Sequence, residues 1–415
     1  MMMKLVINKS TKKIKMKNLY KIIIGLLMMP FIAHSQTAIK AEIIYTVSGA
    51  PIKNGVILIK DGKIEKVGTA KEITIPKNYT VVASNVVTPG FIDARSVVGL
   101  SGALNIPTDQ DQLEKSSPIQ PELRAIDAYN PEEKLVAYVR DFGVTTMHTG
   151  HGIGALVSGQ TMVVKTKPGK IDEVTLVPME MLAMTIGASV EGNFTSPGTK
   201  AKQIAMIRTE FLKAQAYLKK QNDKDTAKRP AIDLKYEALG KLLKGEVKAL
   251  ITVNSSNDIM NAIRLAKEFN FKLVIDGAAE AYRLIDEIKA CKAEVILHST
   301  MSRNAGDMVN MTRESAAILT AANIQVSIET GYEGYVPKTH VLLFEAALAV
   351  TYGLPYDEGL KSITLNPAKL LGIDKRVGSI EKGKDADLVL FDGDPFEYLT
   401  KISKVMIDGQ WVSKN

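Results

Sequence analysis

The sequence predicts an α/β fold, a (β/α)8 TIM barrel with a small composite β-sandwich domain formed by both termini. Two observations lead to this prediction. In the middle of the chain, short apolar runs alternate with helical patterns, which is typical of βα units and a parallel sheet. Near both ends, β-type segments are joined by Asp-Gly turns, so two distant parts of the chain can form one β-domain.

Four predicted strands of the central region end in polar residues, about one βα unit apart. These strand ends are Asn254, Asp276, His298 and Glu329. Helices are predicted over 257–268 and 279–290, after the first two strands. Because the active site of such a barrel lies at the carboxyl ends of its strands, we expect these side chains to meet at one opening.

The terminal segments predict the β-domain. The predicted strands are 43–47, 55–60, 63–67, 386–391, 404–407 and 410–412. Asp61-Gly62 and Asp408-Gly409 supply the positive φ angles that two-residue hairpin turns require. We therefore predict domain boundaries at 36–87 and 371–415 for the two parts of the β-sandwich and at 88–370 for the barrel.

The first 35 residues have the composition of a signal peptide. Seven lysines and no acidic residues lie in 1–35, and the apolar run Ile22–Ile32 is too short for a membrane span of about 20 residues. Met16 is an alternative start. We expect a periplasmic or secreted mature protein without a membrane span. The remaining 46 basic and 45 acidic residues indicate no nucleic-acid partner, and Cys291, the only cysteine, excludes an internal disulfide.

Several motifs together resemble the amidohydrolase superfamily, in particular imidazolonepropionase-like secreted amidohydrolases. They cover nearly all of the predicted mature chain, in the family's order: Val86–Ser96 (VVTPGFIDARS), Gly143–Thr146 (GVTT), Glu345–Pro355, Leu365–Gly372 (LNPAKLLG) and Val377–Leu390. The resemblance implies a hydrolase of carbon–nitrogen, non-peptide bonds such as those of cyclic amides. It also implies a small-molecule ligand, and zinc or another divalent metal as cofactor.

The family's metal-ligand pattern is mostly missing from this chain. The resemblance implies a His-x-His pair on the first barrel strand, where Ala94-Arg95-Ser96 stands, and these side chains cannot replace two imidazoles. Asp276, His298 and Glu329 are the remaining candidates for catalysis and for any metal ligation. Lys165 is a candidate for the family's bridging lysine, although a solvated lysine at a strand end is the favoured interpretation.

Arg95, His148 and His151 are candidate substrate-binding residues. His148 and His151 follow a predicted second barrel strand, and their alternative is a pair of loop imidazoles bonded to backbone or to nearby aspartates. Arg95 is expected to form an ion pair with Asp276, Glu329 or Asp93 in place of a metal. The alternative is that Arg95 faces the helices outside the barrel.

The sequence is consistent with two functions. The first is a carbon–nitrogen hydrolase with an altered site, for which metal-free catalysis with Glu329 as base is one variant. The second is a non-catalytic binding or partner subunit of an intact amidohydrolase, that is, a pseudoenzyme. The expected partners are a small-molecule ligand and a second subunit, either another copy or an intact paralogue.

Overall fold

The structure of the protein is a computed structural model that describes residues 36–104, 106–298, 304–331 and 341–413. The predicted signal peptide, residues 1–35, lies outside the described residues. No helix in the described ranges is long and apolar enough to cross a membrane.

Sixteen strands and twelve α-helices make up the described residues. The strands are β1 (Thr37–Ile44), β2 (Ile52–Lys60), β3 (Lys63–Thr69), β4 (Thr80–Pro89), β5 (Phe91–Ser96), β6 (Val144–Gly150), β7 (Val157–Lys165), β8 (Thr175–Val177), β9 (Met181–Thr185), β10 (Lys248–Val253), β11 (Leu273–Gly277), β12 (Glu294–Leu297), β13 (Val326–Ile328), β14 (Leu388–Phe391), β15 (Ile402–Ile407) and β16 (Gln410–Trp411). The helices are α1 (Ala125–Ala128), α2 (Lys134–Asp141), α3 (Ile171–Val174), α4 (Ala188–Asn193), α5 (Lys200–Gln221), α6 (Leu234–Leu243), α7 (Ser256–Phe269), α8 (Ile285–Cys291), α9 (Ser315–Ala321), α10 (Leu342–Thr351), α11 (Tyr356–Ser362) and α12 (Leu365–Leu370).

One seven-stranded sheet contains both ends of the described chain, in the order β16-β15-β14-β4-β1-β2-β3. The antiparallel pair β4–β14 joins the amino-terminal strands to the carboxyl-terminal ones. Both Asp-Gly turns have the predicted left-handed conformation, with φ of 52° and 76° at Asp61 and Gly62 and of 51° and 74° at Asp408 and Gly409. The composite β-domain predicted from the sequence is therefore confirmed.

Eight strands form a nearly closed barrel, in the order β5-β6-β7-β9-β10-β11-β12-β13. The predicted TIM-type barrel is confirmed, with one difference: β7 runs antiparallel to both β6 and β9. Only residues 151–156 connect β6 to β7. A parallel crossover needs a dozen or more residues, so this short connection can only reverse the chain. We call the carboxyl end of the parallel strands the mouth of the barrel and the opposite end its floor.

A side-chain clasp connects the first and last barrel strands, β5 and β13. The Asp93 carboxylate accepts hydrogen bonds from the Thr330 amide (3.2 Å) and the Thr330 hydroxyl (2.6 Å). Burial raises the pKa of Asp93 to about 6. The clasp fixes the end of β5 beside the end of β13, where two of the candidate site residues are found.

Successive side chains of each barrel strand point alternately to the inside and the outside of the barrel, which produces two apolar layers. Side chains of one face form a cluster inside the barrel, namely Ile92, Val163, Met181, Leu250, Val274 and Ile296. Side chains of the other face pack against the surrounding helices, where burial of each large side chain contributes about 1.5–3 kcal/mol. Helix α7 begins directly after β10 because the Ser255 side chain caps it, and it ends at Phe269, which is followed by the left-handed cap residue Asn270. Such short connections keep the strand ends at the mouth.

Candidate functional site

The mouth of the barrel contains a cavity of about 120 Å³. Three of its polar lining residues, Asp276, His298 and Glu329, come from the ends of three successive strands, as predicted. Arg95 lines the same cavity from β5. The remaining lining residues are Ser96, Val97, Ile153, Thr252, Asn254, Gly277, Met308 and Gly331. The structure thus brings four of the six predicted site residues together.

The two carboxylates of the cavity are buried and incompletely hydrogen-bonded. Asp276 is 1% exposed; its Oδ2 accepts a hydrogen bond from the Thr252 hydroxyl, while its Oδ1 has no partner among the described residues. Glu329 is 2% exposed, and its Oε2 likewise has no partner within the described ranges. An unsatisfied buried polar atom costs about 1–3 kcal/mol. Two unsatisfied carboxylate oxygens at one cavity are typical of a site at which a bound ligand donates the missing hydrogen bonds.

His298 and Glu329 form a hydrogen-bonded pair. Nδ1 of His298 lies 3.2 Å from Oε1 of Glu329. Burial, together with the nearby charge of Asp276, raises the pKa of Glu329 to about 8. Burial disfavours the imidazolium of His298, but the hydrogen bond and the charge of Glu329 outweigh this effect and raise its pKa. The pair therefore binds protons more tightly than its free side chains would, and it retains a proton near neutral pH.

Arg95 brings a buried cation to this cavity. Its side chain donates from Nη2 to the backbone carbonyl of His151, and its Nη1 has no partner within residues 36–104, 106–298, 304–331 and 341–413. Burial lowers the pKa of Arg95, and the charges of Asp276, Glu329 and Asp93 oppose that effect. Among the described residues Arg95 forms no direct ion pair, so the predicted salt bridge is wrong. The guanidinium instead donates a hydrogen bond to the His151 carbonyl, and it interacts with the carboxylates by Coulomb attraction without direct contact.

The position of Arg95 also rules out the alternative that it faces the surrounding helices. The register between β5 and β6 shifts between Asp93 and Ser96. Such an irregularity breaks the strict alternation of faces, so the side chains of neighbouring residues can point to the same side. Arg95 and Ser96 accordingly line the same cavity.

His148 and His151 lie beside Arg95 but do not line the cavity. His148 is fully buried; its Nδ1 lies 2.8 Å from the Ala94 carbonyl and its Nε2 lies 2.6 Å from the Thr161 hydroxyl. Burial and the charge of Arg95 lower the pKa of His148 to about 3 and that of His151 to about 4. The geometry favours the hydrogen-bonded alternative for His148, and the substrate-binding role of both residues stays a prediction.

Lys165 lies at the floor of the barrel because β7 is reversed. Its side chain is 1% exposed, and its Nζ lies 2.7 Å from Asp385 and 3.0 Å from Asp387, with Asp408 also in contact. These three aspartates belong to the β-domain. Neither interpretation from the sequence is correct: Lys165 is not a ligand at the mouth, and it is not solvated.

The described donor set does not fit the divalent metal that the resemblance implies. In the described ranges no three His, Cys, Asp or Glu side chains converge as metal ligands. Ala94 packs inside the barrel, and the Ser96 hydroxyl accepts a hydrogen bond from the Val98 amide (3.2 Å). A guanidinium lining the same cavity repels a dication. We therefore derive no catalytic step through a metal.

Several residues that line the cavity were not predicted from the sequence, among them Thr252 and Met308. Thr252 lies two positions before Asn254, so the period of two along a strand would have placed both side chains on the face that ends at the mouth. Met308 reaches the cavity from the segment between β12 and α9, and no sequence signal marks it.

Comparisons with known proteins agree with this architecture. The sequence profile of the amidohydrolase family matches residues 86–412. The chain is 27% identical over 389 residues to the amidohydrolase tasK of Hapsidospora irregularis, which covers 86% of this chain but only 39% of that protein. It is 25% identical over 386 residues to an imidazolonepropionase of Fusobacterium nucleatum, covering 83% of this chain and 86% of the relative. The crystal structure of an amidohydrolase from Thermotoga maritima has a TM-score of 0.86 and 29% identity, covering 91% of this chain and 100% of its own.

Proposed function

We propose, because this chain belongs to the amidohydrolase family, that it hydrolyses a carbon–nitrogen bond of a small non-peptide substrate, such as a cyclic amide, at the mouth of its barrel. One observation carries the proposal: Asp276, His298 and Glu329 line a single cavity, and each carboxylate there has an oxygen with no partner among the residues that the structure describes. Such groups can orient a water molecule and move its protons.

The residues of the cavity suggest a division of roles. The unpartnered Oδ1 of Asp276 orients a water molecule and takes one proton from it as the water oxygen bonds to the carbonyl carbon. The His298–Glu329 pair gives a proton to the leaving nitrogen as the carbon–nitrogen bond breaks. The proton on Asp276 then returns to the pair. One water molecule is consumed, and a carboxylic acid and an amine are released.

The size of the cavity supports a small substrate. Ligand pockets generally measure about 300–1,000 Å³, whereas this cavity measures about 120 Å³. A single small ring or a short acyl group matches the size of the described cavity. We therefore expect activity on small cyclic amides or imides and on acylated amino compounds.

A hydrolysis screen tests the proposal. The purified protein is incubated with small lactams, cyclic imides and N-acyl amino acids, and product amine or acid is quantified by mass spectrometry. Glu329→Gln and Asp276→Asn are expected to reduce kcat by at least about 100-fold. Asp258→Asn is the matched control, because Asp258 is equally buried and also has an unpartnered oxygen but does not line the cavity. Equal activity in all three variants would contradict the assigned roles.

A non-catalytic function is the second candidate, and it is favoured by the replacement of the His-x-His pair with Ala94-Arg95-Ser96. In that case the chain binds a small ligand or accompanies an intact amidohydrolase. The relative tasK extends well beyond the matched region, so a family member can carry such a region together with others. Calorimetric binding of a screened compound without turnover, lost in Glu329→Gln, would support this candidate over hydrolysis.

Export is a separate part of the proposal. The basic and apolar residues of 1–35 support a periplasmic or secreted location. Expression of the full chain followed by fractionation and amino-terminal sequencing is expected to show a mature protein that begins near residue 36. An uncleaved chain recovered from the cytosol would contradict export.

A further inference from the structure

We propose that Arg95 supplies, as a fixed part of the chain, the positive charge that a divalent metal supplies in the enzymes this chain resembles. The site then works without a metal, and Arg95 polarises the substrate carbonyl. The catalytic half of this inference rests on the proposed function. The electrostatic half states that Arg95 excludes a metal, and this statement does not depend on the proposed function.

The first argument is the position of the charge. Arg95 is 4% exposed and lines the cavity that Asp276 and Glu329 also line. Both carboxylates interact favourably with its guanidinium, although neither touches it. A dication bound by the same carboxylates would face this cation inside a partly desolvated site, where repulsion is strong. Arg95 therefore provides the counter-charge for the two acids and excludes a competing metal.

The second argument is an unused donor. Nη1 of Arg95 has no hydrogen-bond partner in the part of the chain that the structure describes, although the side chain is buried. A guanidinium N–H aimed at a carbonyl oxygen stabilises the negative charge that develops there when water adds. The unpartnered oxygens of Asp276 and Glu329 can accept hydrogen bonds from the water and the amide N–H. Donor and acceptors are thus complementary to an amide group.

The third argument is that the guanidinium is held in place. Nη2 donates to the His151 carbonyl, and the Arg95 amide donates to the Asp93 carboxylate at 3.3 Å. The same carboxylate holds Thr330, the neighbour of Glu329, through the clasp between β5 and β13. The cation and one of the acids are therefore positioned by a common residue, which is the preorganisation that electrostatic catalysis requires.

Metal binding tests the electrostatic half directly. Chelator-treated protein is dialysed against Zn²⁺ or Mn²⁺, and bound metal is measured by elemental analysis and by the shift in Tm. We expect wild-type protein to bind less than 0.1 ion per chain at about 10 µM free metal. Arg95→Met, which keeps an apolar stem but removes the charge, is expected to bind at least about 10-fold more tightly. Arg95→Lys keeps the charge and is expected to behave as wild type.

Arg140→Met is the matched control. Arg140 is also buried, donates from Nη1 to a backbone carbonyl (Thr166, 2.9 Å) and has an unpartnered nitrogen, but it does not line the cavity. Loss of its charge is expected to leave metal binding unchanged. Near-stoichiometric metal in wild-type protein that disappears in Asp276→Asn would overturn the inference, and this outcome does not require any arginine variant to fold.

Turnover tests the catalytic half and separates the two proposals. If the screen finds a substrate, Arg95→Met is expected to lower kcat by at least about 100-fold, and added guanidinium ion is expected to restore part of it. Unchanged kcat in Arg95→Met would overturn the carbonyl-polarising role. If no compound is hydrolysed, the proposed hydrolase function fails, while the metal measurement still decides whether Arg95 replaces the metal charge.

Discussion

The two ends of the barrel hold buried charges in opposite ways. At the floor, Lys165 lies 2.7 Å from Asp385 and 3.0 Å from Asp387, and Lys63 and Arg376 also contact Asp385. At the mouth, Arg95 makes no direct ion pair in the described part of the chain, and Asp276 and Glu329 each keep an oxygen without a partner. Buried charges at the floor therefore form ion pairs within the protein, whereas the carboxylates at the mouth can still accept hydrogen bonds from a ligand.

The different pairing of buried charges indicates a structural role for the cluster at the floor and a ligand-binding role for the cluster at the mouth. In the floor cluster Lys165 lies within ion-pair distance of all three aspartates, including the Oδ2 of Asp387, which has no other partner among the described residues. The role of this cluster is to join the β-domain to the barrel floor. A cluster with unpartnered atoms around a cavity lowers the stability of the protein unless a ligand binds. The contrast predicts that substitutions at the two ends change stability in opposite directions.

The largest effect is expected at the floor. Lys165→Met removes the cation that the buried Asp385 and Asp387 share with the half-buried Asp408, so uncompensated negative charge remains inside the protein. Removal of one partner from a buried ion pair costs about 3–5 kcal/mol. Urea unfolding followed by circular dichroism measures the loss. A loss below 1 kcal/mol would mean that the cluster does not hold the two domains together.

A gain in stability is expected at the mouth. Glu329→Gln removes an acid that burial and Asp276 both disfavour in its charged form, and it preserves the shape of the side chain. We expect an increase of about 1–2 kcal/mol in the free energy of unfolding at pH 8, together with the loss of activity described above. Glu358→Gln, at a partly exposed pair with Lys361, serves as the control with no expected gain. A destabilised Glu329→Gln protein would contradict the contrast.

The sequence predicted the mouth better than the floor, for a physical reason. Asp276, His298 and Glu329 are strand-end residues, and parallel strands bring their carboxyl ends together whatever the details of packing. The environment of Lys165 instead depends on Asp385, which is 220 residues away, and on the reversed direction of β7. The short connection 151–156 forces this reversal, but its length becomes known only when the ends of β6 and β7 are located.

The orientation of Arg95 was the other point that the sequence left open. Strict alternation along β5 directs Arg95 away from the side that Ala94 and Ser96 face, and only the register shift beside β6 brings Arg95 to the cavity. Local irregularities of this kind arise from tertiary packing, and residue types alone do not predict them.

The pH dependence of stability is expected to differ between the two ends. Glu329 has a pKa raised to about 8, so its contribution to stability is present at low pH and decreases as pH rises from about 4.5 to 8. The raised pKa of His298 acts in the same direction, because its contribution is complete below about 6.5 and is lost as pH rises through the folded-state pKa. Although burial opposes ionisation of Asp385, Lys165 lowers its pKa to about 2, so its contribution is lost only as pH falls from about 3.8 toward 2.

Unfolding measurements between pH 5 and 8 check this expectation. The difference in the free energy of unfolding between wild type and Glu329→Gln is expected to change by at most about 1.4 kcal/mol per pH unit. Wild type is expected to become less stable relative to the variant as pH rises. A difference that is constant over this range would show that Glu329 does not titrate there. The stability loss in Lys165→Met is instead expected to grow as pH rises over the same range, because burial raises the pKa of Asp387 and the variant lacks the cation that opposes this effect.

The smallest effect is expected at the rim of the floor cluster. Lys63 contacts Asp385 like Lys165, but its side chain is 50% exposed. An exposed ion pair contributes about 0–1 kcal/mol and is screened by salt, so Lys63→Ala is expected to cost less than about 1 kcal/mol and almost nothing in 1 M NaCl. The loss in Lys165→Met is expected to persist in 1 M NaCl because salt does not reach that cation. If salt abolished both losses equally, the floor cluster would be solvated, and the contrast between a paired floor and an unpaired mouth would not hold.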